Sequence, residues 1–172
     1  MNFLNGKIYV YIFYFFKIFK YLFKFAFIII NLKIIMGNRQ CAFCQITETD
    51  PNRVLYEDDQ IIIFKDRSPV ADIHLQCIPK SHIKNKNYLT KNELNLLNHM
   101  YIAARNFIEL NYKDRLINNT PIFGFHKPPF YTIGHLHMHC IIPPYTNKIM
   151  ETLNYCILKD FNDVIKEIRE KE

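Results

Sequence analysis

Apolar and polar positions divide the chain into a small set of elements. "VLYEDDQIIIFKD" at 54–66 reads as strand, acidic turn, strand, so a hairpin is expected there. "HLQCIP" at 74–79 predicts a third strand, closed by Pro79, which has no N–H for a ladder. Over 90–110 the period lengthens to that of a helix. Leu94, Leu97, Tyr101, Ala104 and Ile108 form its apolar stripe, and Thr90 with Glu93 forms a capping box ahead of it. "PIFGFH" at 121–126 predicts a fourth strand, and 135–142 a fifth. A last helix over 159–172 packs through Phe161, Val164, Ile165 and Ile168. The expected fold is α+β: a five-stranded antiparallel sheet with one long helix and a C-terminal helix.

The fifth strand carries the chemistry. "IGHLHMHCII" at 133–142 sets histidines at alternate positions in an otherwise apolar run. Successive strand side chains point to opposite faces, so His135, His137 and His139 share one face at intervals of roughly 6.6–7 Å. Leu136, Met138 and Cys140 face the other way, into packing. Imidazolium charges so close repel one another and lower each other's pKa. Such a row suits neutral imidazole, as nucleophile or as ligand.

Residues 1–35 differ from the rest. They are built almost entirely of Phe, Ile, Tyr, Leu, Asn and Lys, and Lys7, Lys17, Lys20, Lys24 and Lys33 meet no acidic residue there. Setting those lysines aside leaves seventeen basic against sixteen acidic residues, so the formal charge of +6 belongs mostly to this extension. The near-neutral remainder lacks the basic footprint of a non-specific nucleic-acid binder, and no specific nucleic-acid binding is expected. Three readings of the extension stay open. It is long enough for a membrane anchor, at a cost of about 2.5–3.5 kcal/mol for each lysine at the bilayer centre. It also fits an interfacial helix that touches a membrane surface. Alternatively it is spurious upstream sequence, with Met36 the working start. The body is therefore taken as 36–172.

Five cysteines, an odd number, do not make a disulfide framework, and their pattern suits a reducing compartment, cytoplasmic or nuclear. Cys77, Cys140 and Cys156 stand singly in apolar runs and are expected to be buried as small hydrophobes. Cys41 and Cys44 are spaced C-x-x-C.

"HLHMHCII" resembles the signature of the histidine triad (HIT) superfamily of nucleotide hydrolases and transferases, and the likeness runs from Cys41 to about Glu172. "FKDRSPVADIHLQCIPKSHI" at 64–83 is similar to that family's strand–loop–strand. "GFHKPPFYTIGHLHMH" resembles the third type of its nucleotide-binding (HINT) branch more than the first. The resemblance implies hydrolysis of the P–N bond of purine nucleoside 5′-phosphoramidates through a covalent histidine–AMP intermediate. It casts His137 as nucleophile, its ring held by a backbone carbonyl, and His139 as the stabiliser of phosphate charge. His74 becomes a further active-site histidine, and Thr132 a proton relay to the departing amine. Asp66 would accept from the ribose hydroxyls, with Arg67 nearby, and Phe43, Ile46 and Phe64 would wall the purine. His135, His137 and His139 would line the nucleotide's phosphate side.

Gly124 departs from the first-type proteins, which carry Asn there, and His126 is a candidate to fill part of that gap. In zinc-bearing relatives Cys41, Cys44, His82 and His135 match a structural Cys₂His₂ site, which catalysis itself does not need. Family members usually pair as homodimers. Four alternatives stay open: a DNA 5′-adenylate hydrolase of aprataxin type, a dinucleoside polyphosphate hydrolase, a cap-scavenging enzyme, and a nucleotide-binding adaptor without catalysis.

Overall fold

The structure, a computed structural model, describes residues 41–130 and 132–171. The boundary expected after residue 35, and every reading of residues 1–35, lie outside the described residues. Six strands form one antiparallel sheet in the order β1-β2-β3-β5-β4-β6. They are β1 Val54–Glu57, β2 Ile61–Lys65, β3 Ala71–Pro79, β4 Ile122–His126, β5 Met138–Tyr145 and β6 Leu158–Asp160. The helices are α1 Ile46–Thr49, α2 Leu94–Asn111, α3 Lys148–Ile157 and α4 Phe161–Glu170. Among the described residues no helix is long and apolar enough to cross a membrane.

Period-two alternation splits the sheet into two unlike faces. Leu75, Cys77, Phe123, Phe125, Met138, Cys140 and Ile142 point into the main core. There they meet Leu97, Met100, Ala104 and Ile108 of α2, and Phe161, Val164, Ile165 and Ile168 of α4. Tyr101 stacks on Phe161 with ring centroids 4.5 Å apart, tying the two helices together. The Thr90–Glu93 capping box forms as expected, but it opens a 3₁₀ turn over Lys91–Glu93, and the α-helix proper starts at Leu94. The opposite face is polar at its centre. It carries His74, Gln76 and His139, each less than a tenth exposed.

Several expectations are corrected. The sheet has six strands, not five. The residues expected to open the last helix, Lys159 and Asp160, instead belong to β6 on the outer side of β4. There the Asp160 carboxylate accepts from the Asn162 N–H and caps α4. The pattern did not predict α3. It leaves Cys156 exposed, while Cys77 and Cys140 are buried as expected. The fifth strand begins at Met138, not His135: Cys77↔Met138 is the last pair with β3, whose final two residues, Ile78 and Pro79, pair with β2 alone. Leu136 N–H donates instead to the Ile83 carbonyl in the loop beyond, at 2.6 Å. At its other end β5 runs on through Pro143 and Pro144 to Tyr145. The register shifts between Ala71 and Ile73 of β3 just there, the kind of place that tolerates proline. Alternation of side chains survives without the ladder, since Leu136 is still in the core and His135 and His137 still face away from it.

Gly124 has a backbone reason. A Cβ there would lie 2.6 Å from the Lys159 carbonyl oxygen of β6. Only glycine lets β6 approach β4 this closely.

Candidate active site

The polar face of the sheet floors a cavity of about 710 Å³, within the range of small-molecule sites. His137 and His139 reach it from the β5 side, His74 and Gln76 from β3, and His126 from the end of β4. Asp66, Arg67, Ser68 and Val70 supply the β2–β3 loop wall, while Phe43 and Ile46 close the opposite side. Thr132 stands at the rim.

Hydrogen bonds fix the imidazole tautomers. His137 donates from Nδ1 to the carbonyl of His135 at 2.6 Å, which leaves Nε2 with its lone pair. The Nδ1 of His74 accepts from the Val70 N–H at 3.2 Å, so its proton is on Nε2. That proton is donated to Nδ1 of His139 at 2.8 Å. His139 must then carry its own proton on Nε2, a buried donor with no partner in the protein. One nitrogen therefore offers electrons to the cavity and its neighbour offers a proton. Burial holds both rings below the ordinary imidazole pKa, and for His139 the nearby His137 adds to the effect. The bond to the His135 carbonyl works the other way on His137, favouring a developing positive charge on the ring.

Asp66 is anchored twice, accepting from the Ser68 N–H at 2.7 Å and from the Gln76 side-chain amide. Its carboxylate retains acceptor capacity at the cavity surface. Gln76 was missed from the sequence, although its place two residues after His74 puts it on the same face. Asn154, buried on α3 and donating to the Tyr145 hydroxyl at 3.1 Å, was missed with its helix.

Two predicted wall residues are placed differently. Phe64 is fully buried behind Phe43, their rings meeting edge to face at 5.1 Å, and does not line the cavity. His135 does not line the cavity; its carbonyl holds His137 from behind, and its ring turns elsewhere. Burial is the first cause of its lowered pKa.

The ring of His135 faces a second cluster. Its Nε2–H donates to the Pro79 carbonyl at 2.8 Å, so Nδ1 presents a lone pair to the Sγ atoms of Cys41 and Cys44, each at 3.4 Å. His82 Nδ1 lies 3.3 Å from the same Cys44 sulfur. Ligands on a tetrahedral zinc, with Zn–S about 2.3 Å and Zn–N about 2.0–2.1 Å, are separated by about 3.5 Å. The four groups lie within 4.8 Å of one another, and their donor types suit that ion.

Fold and site together define a hydrolase organised around a row of histidines on a sheet face. Residues 40–155 match the family model described as scavenger mRNA decapping enzyme C-term binding. The chain belongs to the histidine triad superfamily. It is 34% identical over 111 residues to the bifunctional adenosine 5′-phosphosulfate phosphorylase/adenylylsulfatase HINT4 of Arabidopsis thaliana, covering 63% of this chain and 73% of that one. With the adenosine 5′-monophosphoramidase HINT3 of Xenopus tropicalis the identity is 32% over 105 residues, covering 60% and 67%. A HIT family hydrolase from Legionella pneumophila superposes with a TM-score of 0.53 at 27% identity, covering 63% of this chain and 96% of that one.

Proposed function

We propose that the chain hydrolyses the P–N bond of purine nucleoside 5′-phosphoramidates, such as AMP joined to an amine or a lysine, by way of a histidine–AMP intermediate. The observation that carries this reading is the pinned ring of His137, with Nδ1–H spent on the His135 carbonyl and Nε2 free in the cavity.

In the first half-reaction Nε2 attacks the α-phosphorus in line. A P–N bond to His137 forms as the bond to the amine breaks, and one hard step becomes two easier ones. The ring gains positive charge, and the Nδ1–H···O=C bond strengthens as it does. His139 directs its unpaired Nε2–H at the phosphoryl oxygens, where negative charge builds. His74 positions His139 through the 2.8 Å bond. Thr132, exposed at the rim, relays a proton from solvent to the departing nitrogen. In the second half-reaction water attacks phosphorus, passing its proton out through Thr132 to solvent, and His137 leaves, neutral again. Asp66 accepts from the ribose hydroxyls, Arg67 stands beside it, and the purine lies against Phe43 and Ile46.

Cys41, Cys44, His82 and His135 would hold a structural zinc ion, clamping the N-terminal segment of the domain to the sheet beside His137. Acid quenching during turnover, followed by peptide mapping, tests the chemistry. AMP on the His137 peptide is expected; its consistent absence overturns the mechanism. A panel of AMP-lysine, diadenosine triphosphate and 5′-adenylated DNA tests the substrate class, and preference for either of the last two overturns the phosphoramidate reading.

A further inference from the structure

We propose that His126, His137 and His139 form a second metal site, for a divalent transition ion such as Zn²⁺ or Co²⁺, whose occupancy switches off nucleotide turnover. The β4–β5 register pairs Gly124 with His139. Continued by two residues, it sets His126 across from His137. The ring of His126 lies 4.2 Å from that of His139 and 5.7 Å from that of His137, centroid to centroid. One nitrogen from each ring lies within 4.8 Å of the other two.

Three features point to a ligand. Nδ1 of His126 and Nε2 of His139 are both buried without a hydrogen-bond partner. His139 is only 3% exposed. Nε2 of His137 carries a lone pair because its other nitrogen is the donor. Buried polar nitrogens left unpaired are costly, and an ion bound also by His137 would partner both of them once His139 has shifted its proton to Nδ1. Burial, with the neighbouring His137 and His74 adding to it, also pushes His126 down to about 4, so it is neutral at physiological pH. Three neutral imidazoles with a fourth position open to the cavity are a donor set that zinc and cobalt favour.

Binding requires a rearrangement. Bonds of about 2.0–2.1 Å draw the nitrogens inward by about an ångström. His139 must free its Nε2 lone pair, so its proton moves to Nδ1 and is donated to His74. His74 then accepts at Nε2, so its own proton moves from Nε2 to Nδ1 and the 3.2 Å hydrogen bond from the Val70 N–H is lost. No net proton is lost, but the exchange sets the His74 Nδ1–H against the Val70 N–H, two donors face to face, so Val70 must turn to another acceptor. Occupancy takes the lone pair that His137 needs for attack, so turnover stops. The Cys41–Cys44–His82–His135 cluster is separate. The Phe43 ring stands edge-on to both His135 and His137, 6.0 and 5.5 Å away.

Cobalt titration of the full chain tests the site. The thiolate-containing cluster is expected to fill first, with sulfur-to-metal charge-transfer absorption. A further equivalent then adds visible d–d absorption with no new thiolate band, and phosphoramidate turnover falls with it. The spectra report binding even if that substrate is not turned over, so failure here is distinct from failure of the proposed activity. Loss of a supporting partner costs metal sites 10–100-fold, so His126→Asn, which removes a ligand outright, is expected to weaken the second phase by at least about tenfold and spare the first. Ring-nitrogen NMR of the unmutated chain with Zn²⁺ reports the same ligands directly. Binding of a single ion, a second phase indifferent to His126→Asn, or unperturbed rings at His126, His137 and His139 would overturn the proposal.

Discussion

His137 and the residue two before it, His135, are joined by a 2.6 Å hydrogen bond from ring Nδ1–H to backbone carbonyl. The bond is possible because His135–His137 has left the β-ladder, so the carbonyl has no strand partner competing for it. On the proposed mechanism, removing the His137 ring removes the nucleophile but few of the cavity walls. His137→Ala is therefore expected to abolish phosphoramidate hydrolysis while AMP binding stays measurable by calorimetry. Turnover at the unmutated rate would discard the nucleophile assignment.

In the proposed mechanism His74 positions His139 through their 2.8 Å hydrogen bond. His74→Ala frees the His139 ring to change tautomer and lose its aim. A loss of roughly 10²–10³-fold in kcat is expected, as for one oxyanion donor, with KM changed much less. His74→Asn, which keeps a side-chain N–H, should recover part of the loss. Steady-state kinetics on the two variants separates a positioning role from simple packing.

The histidines also set the acid limb of stability. His126 has a folded pKa of about 4 against an ordinary 6.5, and His74, His137 and His139 are lowered in the same direction. Between those limits the unfolded chain binds more protons than the folded one. Stability is thus full above about pH 6.5 and falls as pH drops towards about 4. Thermal melts across that range should show Tm declining with acid, and His126→Asn should flatten the decline. A Tm independent of pH there would contradict the burial-driven shifts.

Metal removal tests the cysteine cluster. Ligand binding stabilises by about 2.7 kcal/mol at a hundredfold excess over Kd. A strong chelator should lower Tm by several degrees, with restoration on adding Zn²⁺. Cys44→Ser should start from the lower Tm and ignore the chelator.

Gly124→Ala places a methyl group against the backbone carbonyl of Lys159 at 2.6 Å. No rotamer change relieves a clash with backbone, so β6 must move off β4. A loss of about 1–3 kcal/mol is expected, read from the denaturant midpoint. Trimming the Lys159 side chain should not rescue it.

The sequence alone determined what local periodicity can encode. Alternation at 133–142 put three imidazoles on one face, and the 3.6-residue stripe with its capping box located α2. Repulsion between neighbouring imidazoles was foreseeable from spacing, and so was the pairing of Cys41 with Cys44. Tertiary structure decided what depends on residues distant in the chain. Pairing with β3 ends at Cys77↔Met138, which moved the start of β5 three residues on and freed the carbonyl of His135. Packing of β6 on β4 explains why position 124 carries glycine. Contact between His74 and His139, 65 residues apart, fixes which nitrogen of His139 holds its proton. Side-chain direction follows from a strand's own geometry, but hydrogen-bond partners and protonation follow from whichever strands the fold lays beside it.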